Sequence, residues 1–228
     1  RPELRKAWAE FDIKKANALL DGMGLTERNG DGIRLMKNGR PLIVTVDTAG
    51  ESTEEVDVLE LVHDSWLKAG IKLLTRPAQR EVFRQRIFAG QTIISTWPGI
   101  SNGIPVPSMS PSELAPTSKY QLQWPQWGLW CQTNGKLGHE PELPEVVRLY
   151  DLYQAWQSSP QEEDQERIWN EMLDIHAEQV YTIGIVNSTL QPVVVNNRLR
   201  NVTVKAFYNW SPGAYFGMYK PDTFWFAK

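Results

Sequence analysis

One cysteine and three histidines in 228 residues exclude much chemistry at the outset. A lone Cys131 can form neither an intrachain disulfide nor a cysteine-based metal cluster, and it reads as a buried, inert thiol. His63 and His176 fall inside amphipathic segments, where packing or exposure is the ordinary role. His139 stands beside Glu140, but no second ligand cluster accompanies the pair. There is no Gly-x-Ser-x-Gly elbow, no phosphate-binding P-loop and no clean Gly-x-Gly-x-x-Gly, so no catalytic residue, metal or cofactor is assigned. No apolar run approaches the roughly 20 residues that span a bilayer. The charge lacks a dominant sign: 24 basic and 27 acidic residues are well mixed, for a net −3. That distribution excludes a nucleic-acid or membrane-surface footprint. No repeat, low-complexity tract or signal peptide is visible, and the chain opens at Arg1 within a charged amphipathic stretch. It reads as a piece of a longer protein.

What is present is the pattern of an α/β fold. Asp12 caps a predicted helix running to about Met23, with Ala16, Leu19, Leu20 and Met23 on one face. Residues 42–46, 71–75 and 91–97 read as strands. Between them, Ser52 and Glu55 form a capping box ahead of a Val56, Leu59, Val62, Trp66 stripe, and 80–89 forms a short helix with Phe83 and Ile87 inward. This alternation predicts three adjacent strands joined by right-handed crossovers. Helices are predicted near 143–157, with the stripe Leu143, Val146, Val147, Tyr150, Tyr153 and Trp156, and near 160–178, opened by Ser159-Pro160. The β-branched runs 180–186 and 193–195 read as strands, and the segment from Arg198 onward as aromatic and irregular.

Tryptophan is the unusual component, with ten in the chain. Trp97 ends the third strand, and a long Pro-, Gly- and Ser-rich stretch from Pro98 to Pro144 carries Trp124, Trp127 and Trp130. Ligands of open α/β sheets bind beyond the carboxyl ends of the strands. Indole faces with interleaved amides and hydroxyls suit a neutral solute. The candidate binding residues are therefore Trp97, Ser101, Asn102, Trp124, Trp127 and Trp130.

Several segments resemble, in order, the C-terminal half of the ABC-transporter extracytoplasmic solute-binding proteins of family 5, the dipeptide-, oligopeptide- and oligosaccharide-binding type. Phe11 to Asp21 resembles the family's YDP-x-KA-x-x-LLDEAG helix, and Asp31-Gly32-Ile33-Arg34 with Gly39 and Pro41-Leu42 its DGIR…G-x-PL turn. Trp66 with Gly70-Ile71 is similar to W-x-x-x-GI, and Phe83 with the run from Gly90 to Trp97 to its F…G…W strand. Glu166-Arg167-Ile168-Trp169 and Leu199-Arg200-Asn201-Val202 are similar to two later elements. The resemblance implies the C-terminal lobe of a two-lobed (type II) periplasmic binding protein, with a central mixed sheet flanked by helices. It implies a substrate-binding lobe over 1–197 and a return segment over 198–228 toward an N-terminal lobe. It further implies a periplasmic or extracytoplasmic location, a small solute (oligosaccharide, opine or peptide) and an ABC-importer permease as partners, and no catalysis.

One departure bears on the ligand. Peptide-binding members follow the strand-ending Trp with an Asp-bearing turn that pairs with the peptide ammonium. Here Trp97-Pro98-Gly99-Ile100-Ser101-Asn102-Gly103 has no carboxylate, and none follows before Glu113. A neutral or sugar-like solute fits better than a free-amino peptide. A carbohydrate-active enzyme domain and an aromatic-loop interaction module stay open as alternatives.

Overall fold

The computed structural model describes residues 8–51, 53–97, 109–185, 192–205 and 220–227. They form two compact units. The first draws on Arg1–Pro98 and Pro116–Pro144, the second on Gly99–Ala115 and Glu145–Lys228.

The first unit is built on a parallel sheet of β1 (Ile43–Thr48), β2 (Lys72–Pro77) and β3 (Ile94–Ser95), in the order β2-β1-β3. The three predicted strands are thus adjacent. The two connections that link them run through α2 (Thr53–Ala69) and α3 (Arg80–Phe88). Successive strand side chains point to opposite faces, and the core divides accordingly. Val46 packs with Leu73 and with Leu59, Val62 and Trp66 of α2. Ala49 packs with Phe83 and Ile87 of α3. The cap proposed at Ser52 lies outside the described residues.

β3 is much shorter than the predicted 91–97, because only Ile94 and Ser95 find partners, at Val46 and Asp47. Ile93, 87% exposed, belongs to no pairing.

α1 (Ile13–Gly22) is capped as expected, with the Asp12 carboxylate accepting from the Lys15 amide at 2.9 Å. Its apolar face is not inward, however: Leu19 and Met23 are exposed and the helix has no buried residue. Polar anchoring holds it instead. Arg34, 2% exposed, donates to Asn17 Oδ1 at 2.7 Å and Asp21 Oδ1 at 2.6 Å on α1, to the Ala69 carbonyl at 2.7 Å, and to the Leu25 carbonyl. Ala69 ends α2, so the guanidinium also sits at the negative end of that helix.

The stretch 98–144 is not a continuous loop. Residues 125–132 form a helix, α4 (Pro125–Gln132), with Pro125 at its first turn, where a missing amide costs nothing. Gly128 allows α4 to lie directly on the preceding segment, since a Cβ there would come within 2.2 Å of the Ser118 carbonyl oxygen.

In the second unit, α5 (Pro144–Ser158) buries Val146, Leu149 and Leu152, a line rotated from the predicted stripe, so that Val147 faces outward. α6 (Glu162–Gln179) starts two residues later than Pro160 would place it and buries Ile168, Trp169 and Met172. Arg148 of α5 pairs with Glu171 of α6 at 2.6 Å. The expected strand over 180–186 is absent in its described part, 180–185, and that over 193–195 is absent too. Val180 turns left-handed at the end of α6, and Ile183, Ile185 and Val194 are exposed. β-branched residues favour a pleated, half-buried surface, and no described strand lies beside these to provide one. A small antiparallel ribbon, β4 (Leu199–Arg200) with β5 (Trp225–Phe226), completes the unit.

Candidate functional site

The order β2-β1-β3 puts a switch point at β1, where successive connections leave to opposite sides. The turns beyond the carboxyl ends there are Ala49-Gly50-Glu51, Ala78-Gln79-Arg80 and Thr96-Trp97. The first two line an open groove of about 700 Å3, walled by Gly50, Glu51, Ala78, Gln79, Arg80 and Glu81 among others. Gly50 is required in this turn. Its φ is +63°, and a Cβ would stand 3.1 Å from the Ala78 carbonyl oxygen.

Trp97 abuts this groove through Arg80. The indole stacks on Phe83 at 5.6 Å between centroids, with a 16° interplanar angle. The guanidinium groups of Arg80 and Arg84 lie 5.5 Å from the indole centre. Arg80, Phe83 and Arg84 share one face of α3, by their three- and four-residue spacing. Trp97 keeps 36% of its surface open.

Three carboxylates at this edge already have partners. Glu51 accepts from Arg80, and Glu55 accepts from the Thr96 hydroxyl at 3.1 Å. Hydrogen bonding from Arg80 holds the Glu51 carboxyl below its ordinary range. Asp47, 1% exposed, accepts Arg76 Nε at 2.6 Å, Arg76 Nη2 at 2.8 Å, Arg86 Nη1 at 3.0 Å and the Thr92 hydroxyl at 3.0 Å. Burial pushes its carboxyl up. The bonds from Arg76, Arg86 and Thr92, with the charge of Arg76, outweigh that and hold it below the usual carboxylate range. A depressed folded-state pKa contributes stability above the unfolded value, near 3.9, and loses it as pH falls through the folded value. Acid unfolding of the 228-residue chain should therefore steepen below about pH 4. Urea unfolding of Asp47→Asn across pH 2–6 should lack that portion of the acid dependence; an acid limb identical to the wild type would contradict it.

The other predicted site residues divide as follows. Ser101 and Asn102 lie outside the described residues. Trp124 is 2% exposed and packed within the first unit, with its indole N–H donated to Gln121 at 3.1 Å. Trp127 and Trp130 are half-buried, one turn apart on α4, and Trp130 lies against Gly135. α4 reaches α3 through Gln126, which donates to the Phe88 carbonyl. Sequence reasoning did not single out Gly50, Glu51, Arg80 and Arg84. The first three stand in the turns following the first two strands, whereas Arg84 lies one turn inside α3.

Among the described residues the remaining titratable groups form no second cluster of possible metal ligands. Cys131 is buried, and burial pushes its thiol up to about 11. In the second unit, His176 contacts the Leu114 carbonyl through Nε2 at 2.9 Å, and burial lowers its pKa. Among the described residues no three His, Cys, Asp or Glu converge to hold a metal, and no helix is long and apolar enough to cross a membrane.

No protein-family model matches the sequence, and no curated protein sequence does. Solved structures do match. The oligopeptide-binding protein OppA is 31% identical and superposes over 89% of this chain with a TM-score of 0.70. The chain belongs to family 5 of the ABC-transporter solute-binding proteins. Two more distant family 5 members share its fold. One is MelB from Agrobacterium fabrum C58 in complex with stachyose (TM-score 0.61, 17% identity, 76% of this chain and 25% of that one). The other is AppA from Bacillus subtilis in complex with a nonapeptide (TM-score 0.55, 13% identity, 96% and 38%). This family 5 chain spans about a third of OppA's length, 34%.

Proposed function

We propose that this chain is the C-terminal, ligand-contacting lobe of an extracytoplasmic solute-binding protein that delivers a small solute to an ABC-importer permease. In this reading residues 198–228 return toward the N-terminal lobe, and the protein binds without catalysis. The neighbours support it by their names, as all are binding proteins. The observation that carries it is the half-open Trp97 indole at the switch point, backed by Phe83 and adjoining a groove. Trp127, Trp130, Ser101 and Asn102 are the proposed further contacts.

The proposed solute is neutral or sugar-like rather than a free-amino peptide. No carboxylate follows Trp97 before Glu113, and Asp47, Glu51 and Glu55 are already engaged. Within this groove Glu81 is the remaining carboxylate for a peptide ammonium, and a carboxylate from the N-terminal lobe would be the other source. In the longer protein, Trp97→Ala should weaken solute binding by about 1–3 kcal/mol, roughly 5- to 150-fold. Calorimetry with stachyose, mannohexaose and a nonapeptide tests both claims. Unchanged affinity in a folded variant would move the site elsewhere, and tight binding of the nonapeptide alone would overturn the sugar-like assignment.

A further inference from the structure

The end of β3 that carries Trp97 is weakly held by its sheet. Its two residues pair only with Val46 and Asp47, and it sits at the edge of the described strands. Something else must fix it, since an indole that wanders cannot present one face to a solute.

Asp47 is placed to do this. A carboxylate buried in the middle strand is costly to desolvate, and an apolar cluster replacing it together with its partners is often as stable, so stability alone does not call for it. Its four donors come from every segment that shapes the candidate face. Arg76 comes from β2, Arg86 from α3, and Thr92 from the run into β3. The Asp47 main chain adds a fifth tie, its carbonyl accepting the Thr96 amide at 3.0 Å. One residue thus grips the Trp97 strand both before it, at Thr92, and after it, at Thr96. Arg86 lies one turn or less beyond Phe83 and Arg84, so the same carboxylate also fixes the helix against which the indole packs.

We propose that Asp47 is the positioning residue of the solute-binding face: it holds α3 and β3 in register so that Trp97 is set in a single orientation before a solute arrives. The proposal rests on Trp97 being ligand-facing. Its test reads the indole geometry with no solute present, so its failure is separable from failure of the binding assignment.

The test is nuclear magnetic resonance of the full 228-residue chain, with the Trp97 indole signal identified by its loss in Trp97→Phe. In Asp47→Asn the Trp97 signal should broaden or split. Amide protection at Ser95 and Thr96 should fall by about tenfold or more, while Val44, Val46 and Leu74 keep theirs. A single unshifted indole signal with unchanged protection would overturn the proposal. A loss spread evenly over the sheet would also overturn it, as that is what a merely stabilising carboxylate gives. Should Asp47→Asn fail to fold, Thr92→Val and Arg86→Gln each remove one tie and leave the Arg76 pair. Each should loosen the same residues to a lesser degree, and no effect from either would sink the proposal.

Discussion

Replacing Arg34 with methionine should destabilise the first unit by about 3–5 kcal/mol, the range for breaking a buried ionic network by removing one partner. That is a large fraction of a typical domain's 5–15 kcal/mol. The side chain is 2% exposed, and its removal leaves the Ala69 and Leu25 carbonyls and the Asn17 amide oxygen without this donor. Asp21 is half exposed and can turn to water, and Arg28 still donates to Asn17 Oδ1 at 2.7 Å and to the Ala69 carbonyl at 3.2 Å, so the loss comes from the Leu25 carbonyl and the emptied guanidinium site more than from the ion pair. Lysine should not rescue, because a point charge cannot reach α1, Leu25 and the end of α2 at once. Urea unfolding followed by circular dichroism measures this. A loss below about 1 kcal/mol, the worth of a surface pair, would show that the network is incidental.

The second large effect concerns affinity. The 228-residue chain should bind its solute at least about 100-fold more weakly than the longer protein. Small-molecule sites cover roughly 70–90% of ligand surface, and the groove walled by Gly50, Glu51 and Arg80 is open. Losing about 100 Å2 of apolar contact from a second lobe removes about 2.5 kcal/mol. Each missing hydrogen bond removes roughly 0.5–1.5 kcal/mol more. Calorimetry of both proteins with the same solute is decisive, and equal affinities would contradict a two-lobed clamp.

The α/β alternation was legible because β1, β2, α2 and α3 each carry a clean apolar period with turn residues between. What was misread has identifiable causes. At α4 three tryptophans recur at helical spacing, Trp124 as the N-cap and Trp127 and Trp130 behind Pro125, a helix-opening proline, but the Pro- and Gly-rich surroundings suggested a loop. For α1, the stripe of Leu19 and Met23 was a true amphipathic pattern, yet Arg34 anchors the helix by its polar side. Periodicity cannot see that a distant arginine satisfies Asn17 and Asp21. Residues 183–185 and 193–195 have strand composition without a described strand to pair with, and pairing is not a local property. At the candidate face, Trp97 was legible as the last residue of an apolar run, whereas Trp124 could not be told from it without knowing which indole N–H finds a buried acceptor. Asp47 was hidden for the same reason, since its four donors come from residues 29–45 positions away.

The central claim, that solute is captured at the carboxyl edge of the three-stranded sheet, is tested most directly by hydrogen exchange of the longer protein with and without a bound solute found by thermal shift. Protection should rise at 49–51, 78–84 and 96–97. Protection that rises on α6 and leaves these turns unchanged would contradict the account.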